Sequence, residues 1–261
     1  MNDGAGLVAV AHGSADPRAA AAIGQLMPLV ARRAAERGLS VPDPRVAYLG
    51  HAAPSVPQVM STFGPDAHVT VLPLLLTAAY HSKTDIPRVL ARTALARTLL
   101  AGPGRVTYGE PLGPHPLLLT ALERRLPPTE DPSEVGVVLA AAGSSDPEAN
   151  ATIARLAAQW QARTGWFAVR PAYASAAAPD PATAVAQLRE AGARRVVVAT
   201  YLLAPGLFAD RIRESSLAAG AAAVSPALLP WPPAAGGASA EVADVVLDRY
   251  ISAGTRRQVA A

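Results

Sequence analysis

Residues 69–87 read VTVLPLLLTAAYHSKTDIP. Val69 to Leu76 is a continuous apolar run that opens with β-branched residues, the length and flavour of a strand buried on both faces of a parallel sheet. Thr77, Ala78 and Ala79 end that strand, and His81, Lys83 and Asp85 follow within five positions. Asp85-Ile86-Pro87 reads as a cap with proline early in the next helix, expected over 86–100. Reactive side chains in α/β folds gather where the carboxyl end of a strand gives way to a helix. Lys83 is the only lysine of the chain, and an arginine-rich composition explains that without invoking function.

The same alternation holds on either side. Leu7 to Ala11 is a short apolar strand that runs into His12-Gly13-Ser14-Ala15-Asp16-Pro17. Ala19 to Arg37 has helical spacing (Ile23, Leu26, Met27, Val30, Ala34) and stops at Gly38, a natural residue for a left-handed helix end. Arg45 to Leu49 is a second strand, followed by Gly50-His51-Ala52-Ala53-Pro54 and a helix through Met60. Gly102-Pro103-Gly104 turns into a fourth strand, 105–109, then PLGPHP and a helix over 117–126. The result is a run of four β-α units.

A proline-rich, acidic stretch, PPTEDP at 127–132, then reads as a linker. After it the order repeats. LVAVAHGSADP (7–17) is echoed by VVLAAAGSSDP (137–147), RVAYLGHAAP (45–54) by RPAYASAAAP (170–179), and TVLPLLLTAAYH (70–81) by VVATYLLAPGLF (197–208). A period this long means two similar domains and not a solenoid. Strands alternating with helices imply parallel sheets with right-handed crossovers. The expected fold is α/β: two tandem doubly wound, flavodoxin-like halves related by internal duplication, facing each other across a cleft. Their expected bounds are 1–126, a linker at 127–134, and 135–261. His12 aligns with Ala142 and His81 with Phe208, and all five histidines lie in the first half. Histidine chemistry would occupy one side of a cleft, with the second half as a wall.

Composition narrows the function. The chain has 261 residues, a net charge of +3 and no cysteine, which removes disulfides and thiolate metal ligands together. Its arginines are scattered, and aromatic residues make up 5%, so neither a nucleic-acid stripe nor a stacking platform is indicated. No apolar run approaches the roughly 20 residues of a membrane span. The start MNDGAGLVAVAHGS lacks a basic region ahead of its apolar stretch, so no signal peptide and a cytoplasmic enzyme are expected. Neither a dinucleotide fingerprint, nor a phosphate loop, nor a G-x-S-x-G elbow is present, so no nucleotide is expected and a hydrolase would lack its nucleophile.

His12 and His81 each stand just past a strand end, on the first and third strands, which are potential neighbours in a doubly wound sheet. Imidazole, with an unperturbed pKa of roughly 6.5, transfers protons near neutrality and is also the commonest metal ligand. Two such groups and an oxygen donor, with positions left open, would make a weak, exchangeable site for a divalent first-row metal. Gly13-Ser14, ahead of a helix, is either an anion-binding turn or a structural cap used twice, since it recurs as Gly143-Ser144. His51 is either a ligand from the second strand or exposed loop. His68 precedes a strand and reads as structural. His115, at the end of the fourth strand, either borders the site or marks a helix entry.

AHGSADP at the first strand end, with PLLLTAAYHSKTDIP at the third, resembles the sirohydrochlorin chelatase family, the class II, ATP-independent tetrapyrrole chelatases. The duplication resembles its long, two-domain form, over nearly the whole chain. The resemblance implies insertion of Fe²⁺ or Co²⁺ into sirohydrochlorin, for sirohaem or a cobalt precursor of cobalamin; the metal enters as substrate, and imidazoles accept Ni²⁺ as well. It places His12 and His81 as catalytic residues and metal ligands that also take up the pyrrole N–H protons. His51 joins them as a metal ligand, and Ser14, Tyr80, Lys83 and His115 are the expected substrate contacts. The family commonly has an acidic residue after its second strand, in a pattern like F-L-E. Here Tyr48-Leu49 is followed by Gly50, so that either His51 substitutes or a third ligand is missing. The alternative to an enzyme is a non-catalytic tetrapyrrole or metal carrier with a chelatase fold. A monomer or homodimer fits either reading, and no nucleic acid or membrane partner is expected.

Overall fold

A computed structural model of the chain describes residues 5–64, 67–77, 86, 88–89, 106–232 and 240–260, the side chains of 256–260 excepted. The elements run β1 (Gly6–Ala11), α1 (Pro17–Gly24), α2 (Leu26–Glu36), β2 (Arg45–Tyr48), α3 (Val56–Met60), β3 (Val69–Pro73), β4 (Val106–Tyr108) and α4 (Pro116–Glu123). A single 3-10 turn (Pro132–Glu134) leads into β5 (Val135–Ala141), α5 (Pro147–Arg163), β6 (Ala168–Tyr173), α6 (Pro181–Glu190), β7 (Arg195–Tyr201), α7 (Leu207–Ala218), β8 (Ala223–Val224) and α8 (Ala240–Ala260). The helix expected over 86–100 falls largely outside the described residues. Of the three that are described, Ile86 is fully buried in the first core.

Two four-stranded parallel sheets result, ordered β2-β1-β3-β4 and β6-β5-β7-β8. Each is the doubly wound arrangement the repeat implied, with the strand order reversing direction after the first strand. The central strands are apolar on both faces: every residue of β5 is buried, as are five of the six of β1. The registers match between copies. Ala11 pairs with Tyr48 at the end of the β1–β2 ladder, and Ala141 with Tyr173 at the end of β5–β6. Each of these tyrosines also reaches the helix beside it: Tyr48 donates to the Ala20 carbonyl at 3.5 Å, and Tyr173 to the Asn150 carbonyl at 2.8 Å. Burial raises both phenol pKa values, which suits a hydroxyl that stays protonated and donates.

Asp-Pro pairs start three of the helices. Asp16, Asp146 and Asp180 each accept a backbone N–H of the first turn, and the following proline fills a position whose own N–H has no helical partner. The single helix expected over 19–37 is two, α1 and α2, broken at Gln25. Pro28 lacks the N–H that would bond the Gly24 carbonyl, so the helical hydrogen bonding lapses where the apolar period does not. The third strand also ends earlier than Leu76, at Pro73, although Leu74 N–H still bonds the Val10 carbonyl at 2.8 Å.

The compact units differ from the sequence repeats. One comprises Met1–His115 with Ser239–Ala261, the other Pro116–Ala238. The stretch at 127–134, expected as a linker, belongs to the second unit: Phe167 N–H bonds the Pro132 carbonyl at 3.1 Å and Arg194 N–H the Glu134 carbonyl at 3.0 Å. The last helix of each repeat has changed places. α4, at the end of the first repeat, packs on β7, while α8, at the end of the second, packs on α2, β3 and β4. α8 buries Val242, Val245, Val246, Leu247 and Tyr250 there. Its polar edge is held by Arg33 to Asp244 at 2.8 Å, Arg37 to Asp248 at 3.0 Å, and the Tyr250 hydroxyl to the Ala5 carbonyl at 2.6 Å.

Candidate functional site

The first sheet brings two of the candidate residues together. His12 leaves β1 at its carboxyl end with its side chain exposed. The β1–β2 ladder continues past the strands, with Leu49 N–H on the Ala11 carbonyl at 3.0 Å and Gly50 N–H on the His12 carbonyl at 3.1 Å. That bonding fixes the turn from which His51 projects. His51 has φ 59°, the left-handed region that a non-glycine residue adopts at a cost of roughly 1 kcal/mol or more. Its ring, also exposed, has its centroid 6.4 Å from that of His12, tilted by 51°.

The second copy shows which of these features belong to the scaffold. There Ser175 N–H bonds the Ala142 carbonyl at 3.0 Å, and Ala176 has the same φ of 59° as His51. The turn is kept and both imidazoles are gone, their places taken by Ala142 and Ala176. Gly13 and Gly143 are needed in both. Each has a positive φ, and a Cβ would stand 1.7 Å from the Gly50 oxygen in the first copy and 1.9 Å from the Ser175 oxygen in the second. Gly13→Ala is expected to destabilise the first unit by about 3 kcal/mol, through strain and overlap together, and to displace Gly50-His51. Gly143→Ala should cost the second unit a similar amount without touching the imidazoles. Urea denaturation of both variants, with metal titration beside it, checks this; two unchanged midpoints would refute it.

The neighbouring polar groups have local duties. The Ser14 hydroxyl accepts Asp16 N–H at 3.1 Å, as Ser144 does from Asp146 at 3.0 Å, so its side chain serves a turn present in both copies. Asp16 accepts Arg18 N–H at 2.9 Å and both of its oxygens meet the Arg18 guanidinium, whose hydrogen bonds hold the carboxyl below its usual range. Among the described residues, no group of three or more His, Asp or Glu side chains could hold a metal ion. The chain leaving β3 sets out from beside β1, but Tyr80, His81 and Lys83 lie outside the described residues.

The other two histidines stand elsewhere. His68 lies at the opposite end of the sheet, its carbonyl accepting Gly6 N–H at 2.8 Å. His115 follows β4, which β3 separates from β1, and its Nε2 is 3.8 Å from Asp248 of α8. Burial lowers its pKa, the Arg249 charge adds to that, and Asp248 opposes it. Its surroundings are those of the α8 contact, where Arg249 bonds the Leu112 and Pro114 carbonyls at 3.2 and 3.0 Å. The sequence reading missed the close approach of Gly13 to Gly50 and the neutralisation of Asp16 by Arg18. The glycine after the strand, present in both copies, was the available signal for the first.

The chain is thus a tandem α/β protein of two doubly wound parallel sheets, the first with two imidazoles at its carboxyl edge. The chain belongs to the CbiX family, whose model matches residues 6–129 and again 136–253. Sirohydrochlorin ferrochelatase of Bacillus subtilis (strain 168) is 27% identical over 179 residues, covering 67% of this chain and 67% of that protein. Sirohydrochlorin cobaltochelatase of Priestia megaterium is 28% identical over 151 residues, covering 56% of this chain and 48% of that protein. Among solved structures, SirB from Bacillus subtilis with Fe3+ superposes with a TM-score of 0.74 at 22% identity, over 98% of this chain and 97% of that one. A multi-domain protein of Deinococcus radiodurans with structural similarity to chelatases has a TM-score of 0.66 at 24% identity, covering 95% of this chain and 55% of that one. No helix among the described residues is long and apolar enough to cross a membrane.

Proposed function

We propose that the chain is an ATP-independent sirohydrochlorin metal chelatase, a lyase that inserts a divalent metal ion, Fe²⁺ or Co²⁺, into the macrocycle. The observation that carries this reading is the His12–His51 pair on the carboxyl edge of a sheet whose family and relatives are chelatases. Metal insertion must strip water from the ion and remove two pyrrole N–H protons for each metal that enters. An exposed imidazole meets either demand, one at a time. Its neutral nitrogen displaces a water from the ion, and once the ion has passed on, the same nitrogen accepts a proton near neutrality and returns it to solvent. His12 is assigned both roles and His51 the second ligand position. His81 is assigned to the same chemistry from its sequence motif. Tyr80, Lys83, the Ser14 turn and His115 are assigned to the carboxylate-bearing periphery of the tetrapyrrole.

A carrier is the rival reading, and Gly50 favours it, because that position has no side chain to add a third donor. An anaerobic absorbance time course separates the two. Sirohydrochlorin is mixed with Fe²⁺ or Co²⁺, with and without the protein. A chelatase is expected to raise the initial rate at least tenfold over the protein-free mixture and to turn over repeatedly. A stoichiometric spectral shift at the protein-free rate would make the chain a carrier.

A further inference from the structure

We propose that residues 14–24 form a hinged strap that closes on the tetrapyrrole, a deepening of the chelatase reading on which it rests. The internal repeat shows what holds such a segment still. In the second copy Asn150 clamps the matching turn, its Oδ1 accepting Ser144 N–H at 3.0 Å and its Nδ2 donating to the Ser144 carbonyl at 2.7 Å. The matching residue of the first copy is Ala20, which has no side-chain amide to offer. The tyrosine bond to the same helix is also longer there, 3.5 Å from Tyr48 to the Ala20 carbonyl against 2.8 Å from Tyr173 to the Asn150 carbonyl. Finally, α5 runs unbroken through Ala154 and Ala158. The first copy has Gly24 and Pro28 at those positions, and its helix breaks between them, at Gln25.

Each tie is lost or longer in the copy that carries the histidines. The strap has a pivot at either end. Gly13, with φ 93°, follows His12, whose carbonyl is held by Gly50 N–H, and Gly24-Gln25 marks the other end. Between the pivots, local bonds join the turn to α1 as one body: Asp16 N–H to the Ser14 hydroxyl, Arg18 N–H to the Asp16 carboxylate, and Ala19 N–H to the Asp16 carbonyl. α1 is anchored by Ala19, Ala22 and Ile23, whereas the unbroken α5 also buries Leu156, Ala157 and Trp160. Elements that bury little apolar surface open locally at low cost, and enzymes use such elements to admit a substrate and then hold it. The Ser14 turn, assigned to the periphery of the macrocycle, rides on this strap, so binding draws it closed.

Hydrogen exchange of the full chain reads the strap directly. Corrected for intrinsic rates, amides of 18–24 should exchange at least about tenfold faster than those of 148–154. Saturating metal-free sirohydrochlorin should slow the first set about tenfold and leave the second unchanged. Ala20→Asn combined with Pro28→Ala copies the clamp and mends the helix. That double variant should exchange more slowly over 18–24, and the association rate of sirohydrochlorin, read by stopped flow, should fall roughly fivefold or more. Asn150→Ala should speed exchange over 148–154 and leave the association rate unchanged. Equal exchange in the two copies, no protection by bound sirohydrochlorin, or wild-type exchange or association in the double variant would overturn the proposal. The insertion assay, run in parallel, keeps the two ideas apart. Protection without accelerated insertion removes the chelatase reading alone, and accelerated insertion by a chain whose copies exchange alike removes the strap alone.

Discussion

His12→Ala is expected to lower the rate of metal insertion by on the order of 100-fold or more, the usual range for losing a positioned general base, with loss of a metal ligand added. The same substitution should leave stability almost untouched. The side chain is exposed, so its removal leaves no cavity in the core. The second repeat has already made the exchange: Ala142 stands at the matching strand end, and its carbonyl accepts the same cross-strand hydrogen bond that the His12 carbonyl does. The variant therefore separates chemistry from folding. The measurement is the initial rate of sirohydrochlorin metallation, with a thermal denaturation midpoint as control. A wild-type rate in a folded His12→Ala protein would remove this residue from the mechanism.

The second large effect is on folding. A chain ending at residue 238 retains the sequence of all eight described strands but loses α8, which contributes Val242, Val245, Val246, Leu247 and Tyr250 to the core of the first unit. At about 2 kcal/mol for each buried side chain, the loss is on the order of 10 kcal/mol, comparable with the whole stability of a domain. The ion pairs of Arg33 and Arg37 go with it. The first unit should lose cooperative unfolding while the second, continuous from Pro116 to Ala238, retains it. Hydrogen exchange resolves the two: amides of β1 and β2 should exchange freely in the shortened chain, and those of β5 and β7 should stay protected. Equal protection in both sheets would mean that α8 is dispensable.

The strands were legible because strands buried on both faces write themselves as continuous apolar runs, as β1, β3 and β5 do. The duplication was legible for the same reason, since both copies must fill the same space. The break at Gln25 was not, because the apolar spacing runs through it and only the missing N–H of Pro28 interrupts the hydrogen bonding. The exchange of α4 and α8 was also hidden. An apolar helix face says that a helix packs, and nothing in its period names the sheet it packs on. At the candidate site, sequence put His12 at a strand end and left His51 open between ligand and loop. The contact between their rings comes from a ladder that continues past β1 and β2 and from a left-handed turn, and neither has a side-chain signature in the first copy alone. Ser14 illustrates the reverse. Its recurrence as Ser144 pointed to a structural turn, and both hydroxyls accept an N–H two residues on.

The exchanged helix also sets the order in which the chain can finish folding as it is made. The first unit has its opening strand at Gly6 and a closing helix that begins at Ala240. Its core therefore stays incomplete until the segment from Ala240 onward has left the ribosome. The second unit is one unbroken segment and has all its residues by Ala238. The half that carries the histidines is synthesised first and completed last, so a chain interrupted between Ala238 and the emergence of α8 would carry a finished second unit attached to an unfinished first one.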